Sequence, residues 1–268
     1  MNVSRLEDVR LRRPLIHCVS NIVSANDCAN LALAVGASPM MAQAPEEMAD
    51  ITAIAGATVL NTGTPDSAKF DACRICGREA AALGRPVVLD PVGVGASPWR
   101  LDNIRRLLAV CTPTILRVNL GEAQALLRLR SQEQGVDSPD ASTRGERLRR
   151  AAALARDLHT TVLLSGPEDI ITDGNGAWCC TGGSGRMAQV TGTGCMLSVL
   201  CGVFAAVEPE PREAALLAAA FWKVCSRRAD REAGQRGSGS FRTALLDAAG
   251  LLTEADLKQE AEILPLSL

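Results

Sequence analysis

The feature of this sequence most able to do chemistry is a glycine-rich turn that leads into an apolar helical pattern. The turn opens the segment Val190-Thr-Gly-Thr-Gly-Cys-Met-Leu-Ser198. The first backbone N–H groups of a helix have no partner within the helix, and the helix dipole adds partial positive charge there. Because glycines let a phosphate approach closely, we predict an anion hole at Gly192, Thr193 and Gly194. Cys195 would then lie beside a transferred phosphoryl group, and a turn that only caps the helix is the alternative.

Two acidic side chains follow predicted strands and are candidate ligands for Mg²⁺. Asp90 closes the run Pro86-Val-Val-Leu-Asp90 and starts a glycine-rich turn. A carboxylate there can hold the ion directly or through water, and the other interpretation is a turn residue or cap. Glu122 lies three residues after Asn119. That spacing fits a helix capping box and equally a carboxylate near nucleotide phosphates.

Other polar side chains at strand ends suggest two binding regions. Arg117 would supply positive charge for phosphate oxygens, and the Ser165 hydroxyl could contact a nucleotide phosphate or satisfy its own turn. Asn119 is the third candidate for binding the nucleotide. Asn21 and Met41 follow the first strands, where an amide and a thioether could shape a small pocket for a ring. Each of these residues taken alone is more often packing or turn chemistry.

Composition excludes several classes of function. The net charge of −2 leaves no basic excess for nucleic acid, and an aromatic content of 3% argues against a base-stacking surface. No apolar run is long enough to span a membrane, and the start lacks the pattern of a signal peptide. The ten cysteines lie mostly in apolar runs, which fits free thiols in a reducing cytoplasm.

The sequence lacks the motifs of several other enzyme classes. The sequence has no G-x-x-x-x-G-K-[ST] segment, no strand-linked G-x-G-x-x-G and no G-x-S-x-G. A P-loop enzyme, a dinucleotide dehydrogenase and a serine hydrolase are therefore unsupported. His17 and His159 have no partner at a metal-ligand spacing, so we interpret both as structural.

The elements that must position these residues alternate between strand and helix patterns. Such alternation predicts an α/β fold with a doubly wound, mostly parallel sheet in three α/β/α layers, and ligands outside the carboxyl ends of its strands. We expect one domain over residues 1–268. A hairpin is predicted from Asp169–Thr172 to Ala177–Cys180, and a polar loop from Ser131 to Arg144.

Taken together, these residues resemble the hydroxyethylthiazole kinase family of the ribokinase-like superfamily. The resemblance extends from about Pro14 to Leu252. It is carried by the segments Asn21–Asn26, Gly36–Met41, Leu60–Thr64, Leu89–Trp99, Asn119–Glu122, Val190–Cys195 and Gly237–Phe241.

The resemblance implies that ATP and Mg²⁺ phosphorylate the alcohol of 4-methyl-5-(2-hydroxyethyl)thiazole. It places Cys195 where many ribokinase-like kinases carry an aspartate base. It implies further roles, which are Mg²⁺ for Asp90 and Glu122, ATP for Arg117 and Ser165, and the thiazole for Met41, Gly192 and Asn21. A homotrimer with sites at subunit interfaces is also implied.

One departure and three alternatives stay open at this point. Val118 stands where family members often have glycine, which could narrow the nucleotide pocket. The alternatives are a related kinase for hydroxymethylpyrimidine or a sugar, an ATP-dependent dehydratase, and a non-catalytic nucleotide-binding protein. The dehydratase is disfavoured because that group carries Gly-Asp where this chain has Gly194-Cys195.

Overall fold

The computed structural model describes residues 1–130 and 143–268. These residues form a nine-stranded sheet flanked by helices. Most of the predicted loop Ser131 to Arg144 lies outside the described residues. The strands β1 to β9 are Leu15–Val19, Ser38–Met40, Ala57–Asn61, Val87–Asp90, Ile115–Val118, Thr161–Leu164, Asp169–Thr172, Ala177–Cys180 and Ile263–Leu266. The helices α1 to α11 are Arg5–Arg12, Ala25–Val35, Met48–Ile54, Ser67–Leu83, Pro98–Leu108, Leu120–Arg130, Arg144–Leu158, Thr193–Ala205, Pro211–Ala233, Ser238–Leu251 and Glu254–Glu260.

The sheet is mostly parallel, as predicted. Its order is β2-β1-β3-β4-β5-β6-β7-β8-β9. The first six strands in this order pair parallel with their neighbours, and the pairs β6–β7, β7–β8 and β8–β9 are antiparallel. The predicted hairpin is confirmed, since β7 pairs with β8 from Asp169 opposite Cys180 to Thr172 opposite Ala177. The register also sets Asn61 beside Asp90 at the carboxyl ends of β3 and β4. Polar side chains therefore gather at this edge.

Helices cover both faces of the sheet, which confirms the three-layer arrangement. One buried cluster includes Phe204, Phe221 and Phe241 from α8, α9 and α10. The other lies on the opposite face and includes Phe70 and Ile104 from α4 and α5. Burying such apolar surface is the main favourable term in folding. Among the described helices, none is long and apolar enough to cross a membrane.

Close packing of α8 against the sheet fixes where that helix begins. A Cβ at Gly202 would lie 2.5 Å from Val59 Cγ2, so a larger residue would require the Val59 side chain or the helix to move. Overpacking of this kind typically costs about 1–3 kcal/mol. The helix therefore holds its first turn firmly over the carboxyl ends of the parallel strands.

The sequence patterns missed parts of the chain ends. They did not predict α1 or the edge strand β9, whose run Ile263-Leu-Pro-Leu266 contains a proline. Proline lacks an N–H for pairing and is tolerated at sheet edges, so a pattern based on central strands overlooks it.

Candidate active site

The start of α8 presents unpaired backbone donors. Gly192 has φ +85°, and a Cβ there would lie 2.8 Å from Ser24 Cβ, so the turn needs glycine at this position. The Met196 N–H is the first in the helix to bond back, donating to Gly192 O at 2.8 Å. The amides of Thr193, Gly194 and Cys195 have no acceptor among residues 1–130 and 143–268. Three N–H donors are therefore free for an anion, of which those of Thr193 and Gly194 belong to the predicted anion hole and that of Cys195 lies beside it.

The Arg117 guanidinium packs against this turn. A Cβ at Gly194 would lie 2.5 Å from Arg117 Nη2, so the second glycine of the turn leaves room for the cation. Arg117 Nη2 donates to Ser165 Oγ at 2.6 Å, and Nη1 lies 3.4 Å from Asp90 Oδ1. The guanidinium Nε is buried and has no partner in the described part of the chain. The fold thus brings Arg117, Ser165 and the anion hole together.

A cavity of about 370 Å³ opens beside Arg117 and Ser165. It lies between the loop after β6, residues 183–185 and the first turn of α8, and Trp222 and Leu197 form part of its wall. Apolar walls with a few polar groups at one end are typical of sites for small molecules. The arrangement suits a nucleotide whose phosphates point toward Gly194.

A buried ion pair that the sequence patterns missed shapes the same cavity. Lys223 Nζ lies 3.2 Å from Asp169 Oδ1 and donates to the carbonyl oxygens of Gly166 and Pro167 at 2.8 and 3.1 Å. Asp169 also accepts the Gly166 N–H at 2.9 Å. Burial raises the pKa of Asp169, and Lys223 opposes that rise. The pair therefore fixes the loop that carries Ser165. The sequence signal for this pair is Lys223 itself, a single lysine within an apolar run of α9.

Asp90 lies at the centre of the site and is completely buried. Its Oδ2 accepts from Asn61 Nδ2 at 2.9 Å and from Ser198 Oγ at 2.7 Å, while its Oδ1 faces Arg117. Burial raises the pKa of Asp90 to about 6, although Arg117 opposes the rise. The carboxylate thus orients side chains from β3, β5 and α8 at once.

Asn119 and Glu122 form the capping box that the sequence left open as one alternative. Glu122 N donates to Asn119 Oδ1 at 2.9 Å, and Asn119 N donates to Glu122 Oε2 at 2.9 Å. The other oxygen, Glu122 Oε1, accepts the Gly93 N–H at 3.0 Å. Both side chains are thus committed to the start of α6, and Glu122 also ties that helix to the turn after Asp90.

The donor set limits how a metal ion could be held. The described residues contain no group of three or more His, Cys, Asp or Glu side chains able to hold one. Asp90 and Glu122 nevertheless flank the same turn, and the nearby charge of Glu122 contributes to the raised pKa of Asp90. This pair fits Mg²⁺ bound through water and substrate phosphates, which is common for that ion, rather than an all-protein cage.

Cys195 faces a second, less charged region. Asn21 Nδ2 lies 3.2 Å from Cys195 Sγ and 3.0 Å from Asn61 Oδ1. Cys195 is half-buried, whereas the other nine cysteines are buried, and all ten are free thiols. Met41 follows β2, which pairs with β1, and it packs on the same core as Cys195. The structure therefore brings Asn21 and Cys195 into contact and places Met41 at the neighbouring strand end.

The histidines do not contribute to this site. His17 is buried, and its Nε2 lies 3.2 Å from Ala42 O. Burial lowers the pKa of His17. His159 ends α7 in the left-handed conformation and is exposed. Both positions agree with structural roles.

The chain matches a known family over almost its whole length. A family model described as "Hydroxyethylthiazole kinase family" matches residues 6–255. The chain belongs to this family. The family is named for a kinase, an enzyme that transfers a phosphoryl group. The chain is therefore a kinase, and the free amides at the start of α8 are part of its site.

Individual relatives agree with the family match. The hydroxyethylthiazole kinase of Methanosphaerula palustris is 40% identical over 260 residues, covering 97% of each chain. That of Listeria monocytogenes is 42% identical over 243 residues, covering 91% of this chain and 90% of the relative.

Solved structures agree as well. The structure of the hydroxyethylthiazole kinase protein from Pyrococcus horikoshii OT3 has a TM-score of 0.90 at 34% identity, covering 99% of this chain and 98% of that one. A pyridoxal kinase from Staphylococcus aureus in complex with pyridoxal has a TM-score of 0.60 at 18% identity, covering 80% and 87%. This second likeness shows the shared fold alone.

Proposed function

We propose that this kinase transfers the γ-phosphoryl group of ATP to the hydroxyl of 4-methyl-5-(2-hydroxyethyl)thiazole. The observation that carries the proposal is the position of the three unpaired amides at residues 193–195. On one side they adjoin Arg117 and the cavity, and on the other side Cys195 contacts Asn21. A phosphoryl group bound at these amides would therefore lie between a nucleotide and a small alcohol.

The transfer itself follows from this placement. The alcohol oxygen attacks the γ-phosphorus, and the bond from that phosphorus to the bridging oxygen of ADP breaks. The alcohol proton passes to the Cys195 sulfur, which acts as the base. The free amides and the Arg117 guanidinium offset the negative charge on the group in transfer, which is the larger catalytic contribution in reactions of this type.

We further propose that Asp90 and Glu122 hold Mg²⁺ through water beside the phosphates of ATP. Bound there, the ion would neutralise phosphate charge. Asp90 keeps Arg117 and Ser198 in place, and Glu122 fixes the turn after β4. Asn119 supports the nucleotide side indirectly, since its side chain caps α6. Met41 and Gly192 are proposed to contact the thiazole ring.

An assembly of three copies completes the proposal. Ile22 and Val23 directly follow Asn21 and are 80% and 59% exposed. Apolar side chains beside a site are typical of surfaces that another chain covers. We propose that residues 1–268 act as one domain in a homotrimer, with sites at the subunit interfaces. Sedimentation velocity should show trimers for the unaltered chain and smaller species for Ile22→Glu combined with Val23→Glu.

The same proposal includes a cytoplasmic location, which ten unpaired thiols fit. A thiol-trapping reagent added to intact cells and to lysates would check it. We expect Cys195 to react fully only after lysis or with a membrane-permeant reagent.

A coupled assay of ADP release tests the proposed reaction. Thiazole alcohol, hydroxymethylpyrimidine and sugar alcohols would be compared at equal concentration, each with Mg²⁺ and with EDTA. We expect the thiazole alcohol to give the highest kcat/KM and EDTA to abolish turnover. A higher kcat/KM for another alcohol would identify a different kinase, and ATP binding without ADP release on any alcohol would indicate a non-catalytic protein.

A further inference from the structure

A line of four side chains runs from the buried carboxylate of Asp90 to the sulfur of Cys195. Asp90 accepts from Asn61, Asn61 accepts from Asn21, and Asn21 contacts Cys195. Asn21 and Asn61 are only 5% and 3% exposed, so water does not compete for these bonds. Asn61 has no role in the reaction as proposed above, yet it is the link on which the line depends.

The orientation of the Asn61 amide is fixed at both ends. Its Oδ1 accepts the backbone N–H of Gly63 at 2.9 Å, and a backbone N–H can only donate. Its Nδ2 donates to Asp90 Oδ2 at 2.9 Å, and a carboxylate can only accept. The reversed amide would face a donor with a donor and an acceptor with an acceptor. Asn61 therefore offers its oxygen, and never its nitrogen, to Asn21.

The orientation of Asn21 is fixed by Asn61 together with the backbone of Ser24. Asn21 Oδ1 accepts the Ser24 N–H at 3.1 Å, so its nitrogen must face the other way. There Nδ2 meets Asn61 Oδ1 at 3.0 Å and Cys195 Sγ at 3.2 Å. Packing adds a further restraint, because a Cβ at Gly63 would lie 2.8 Å from Asn21 Nδ2. The nitrogen carries two N–H groups, which is enough for one bond to each acceptor.

Lys69 fixes the two loops that carry these amides. Lys69 is 6% exposed, and its ammonium donates to Ser20 O at 2.7 Å and to Gly63 O at 3.0 Å. Ser20 precedes Asn21, and Gly63 is the residue whose N–H holds Asn61. The backbone on both sides of the amide pair is therefore joined by one buried cation.

From this geometry we infer that Asn61 is a positioning residue, which keeps the Asn21 amide as an N–H donor to the Cys195 sulfur. The sulfur is then the acceptor in this contact, a role that a thiolate fills better than a thiol. An N–H donor stabilises the thiolate relative to the thiol, which prepares the sulfur to take the alcohol proton. The inference rests on the proposed function, and it adds a residue that acts only through another side chain.

The test measures Cys195 directly and needs no substrate. Alkylation of Cys195 by iodoacetamide at pH 7.5 would be followed by peptide mass spectrometry, since the other nine cysteines are buried. Removing a hydrogen bond to a charged group should lower the thiolate fraction about tenfold. The remaining thiolate is more basic and therefore about threefold more nucleophilic, which offsets part of this loss, so we expect alkylation to slow about three- to fourfold in Asn61→Leu. The kcat of that variant should fall while KM for ATP stays unchanged.

A second variant reverses the polarity without changing shape. In Asn21→Asp the Ser24 N–H keeps its acceptor, but an oxygen replaces the nitrogen that faces Cys195. We expect slower alkylation than in Asn61→Leu. Asn30→Ala, at an exposed asparagine of α2, is the matched control and should alkylate at the original rate.

Two results would overturn the inference. One is alkylation within twofold of the original rate in Asn61→Leu with an unchanged thermal unfolding curve. The other, decisive where Asn61→Leu does not fold, is unchanged alkylation in Asn21→Asp. Failure of the proposed function has a different signature, which is the predicted alkylation pattern in a chain that does not phosphorylate the thiazole alcohol.

Discussion

The two sides of the active site are built from different kinds of interaction. The nucleotide side relies on buried charge. The Arg117 guanidinium donates a hydrogen bond to Ser165, and the Lys223 ammonium forms an ion pair with Asp169. On the acceptor side the groups that lead to the thiol are neutral amides, Asn61 and Asn21 in series, and the buried cation of Lys69 binds only backbone carbonyls there. A polyphosphate is recognised by fixed cations, whereas a small neutral alcohol is recognised by the direction of hydrogen bonds.

Asp90 is where the two sides meet. One of its oxygens faces Arg117, and the other accepts from Asn61 and Ser198. A single carboxylate thus balances the cation on one side and sets amide direction on the other. We therefore expect changes on the nucleotide side to act on stability and ATP binding, and changes on the acceptor side to act on turnover.

The largest effect is expected where a buried charge loses its partner. Lys223→Met leaves Asp169 unpaired at 3% exposure. Breaking such a pair typically costs about 3–5 kcal/mol in the free energy of unfolding, which urea denaturation would measure. Adding Asp169→Asn should recover much of the loss because no bare charge remains. Lys258→Met, at an exposed lysine of α11, is the control and should change little. Equal stability of Lys223→Met and Lys258→Met would contradict a charge-based nucleotide side.

The next effect tests whether the thiol acts as a base. Cys195→Ala should lower kcat about 100-fold, which is a modest contribution for general base catalysis. KM for ATP should stay within about twofold, since removing a group that acts only in the transition state leaves ground-state binding intact. Cys195→Asp keeps a base in contact with Asn21 and should retain or raise turnover. Steady-state kinetics with the thiazole alcohol would measure both, and an unchanged kcat in Cys195→Ala would refute the base role.

A smaller effect is expected from the hydroxyl on the nucleotide side. Ser165→Ala leaves an N–H of the Arg117 guanidinium without its acceptor, which costs about 1–1.5 kcal/mol. We expect KM for ATP to rise up to about tenfold, with KM for the thiazole alcohol unchanged. Ser165→Thr keeps the hydroxyl and serves as the control. Equal increases of both KM values in Ser165→Ala would show that the two sides are not separate.

The site residues near strand ends could be predicted because the carboxyl ends of parallel strands lie along the same side of the sheet. Asp90, Arg117 and Ser165 follow from this rule together with the glycine-rich turn, and the structure places them in contact. Asn119 and Glu122 show the limit of spacing, because a capping box and a phosphate site need the same residue types. The capping bonds became visible only in the structure.

The rest of the site depends on contacts between distant parts of the chain. Lys223 reaches the Ser165 loop from α9, and Asn61 is oriented by Asp90 through the register of β3 and β4. No local pattern encodes these pairs, since each residue taken alone reads as a surface lysine or a turn asparagine. Strand β9 was not predicted for a related reason, because an edge strand is specified by its pairing with β8 more than by its own composition.

The smallest effect concerns a buried histidine beneath the acceptor side. Burial lowers the pKa of His17, and Ala42 O, one residue after Met41, accepts from its ring. An unfolded histidine takes a proton near pH 6.5, while the folded one stays neutral to lower pH, so stability falls as the pH drops through this range. Between pH 7.5 and 6.0 the loss is less than about 1 kcal/mol for one such group.

His17→Gln would isolate this term, because glutamine can still donate to Ala42 O but does not titrate. Urea denaturation at both pH values should show a shallower pH dependence for His17→Gln than for the unaltered chain. Asp71→Asn, on the exposed surface of α4, controls for general effects of charge and should leave the dependence unchanged. Identical slopes for the unaltered chain and His17→Gln would mean that the pKa of His17 does not differ between the folded and the unfolded chain, which would contradict an imidazole kept neutral by burial beneath the acceptor side.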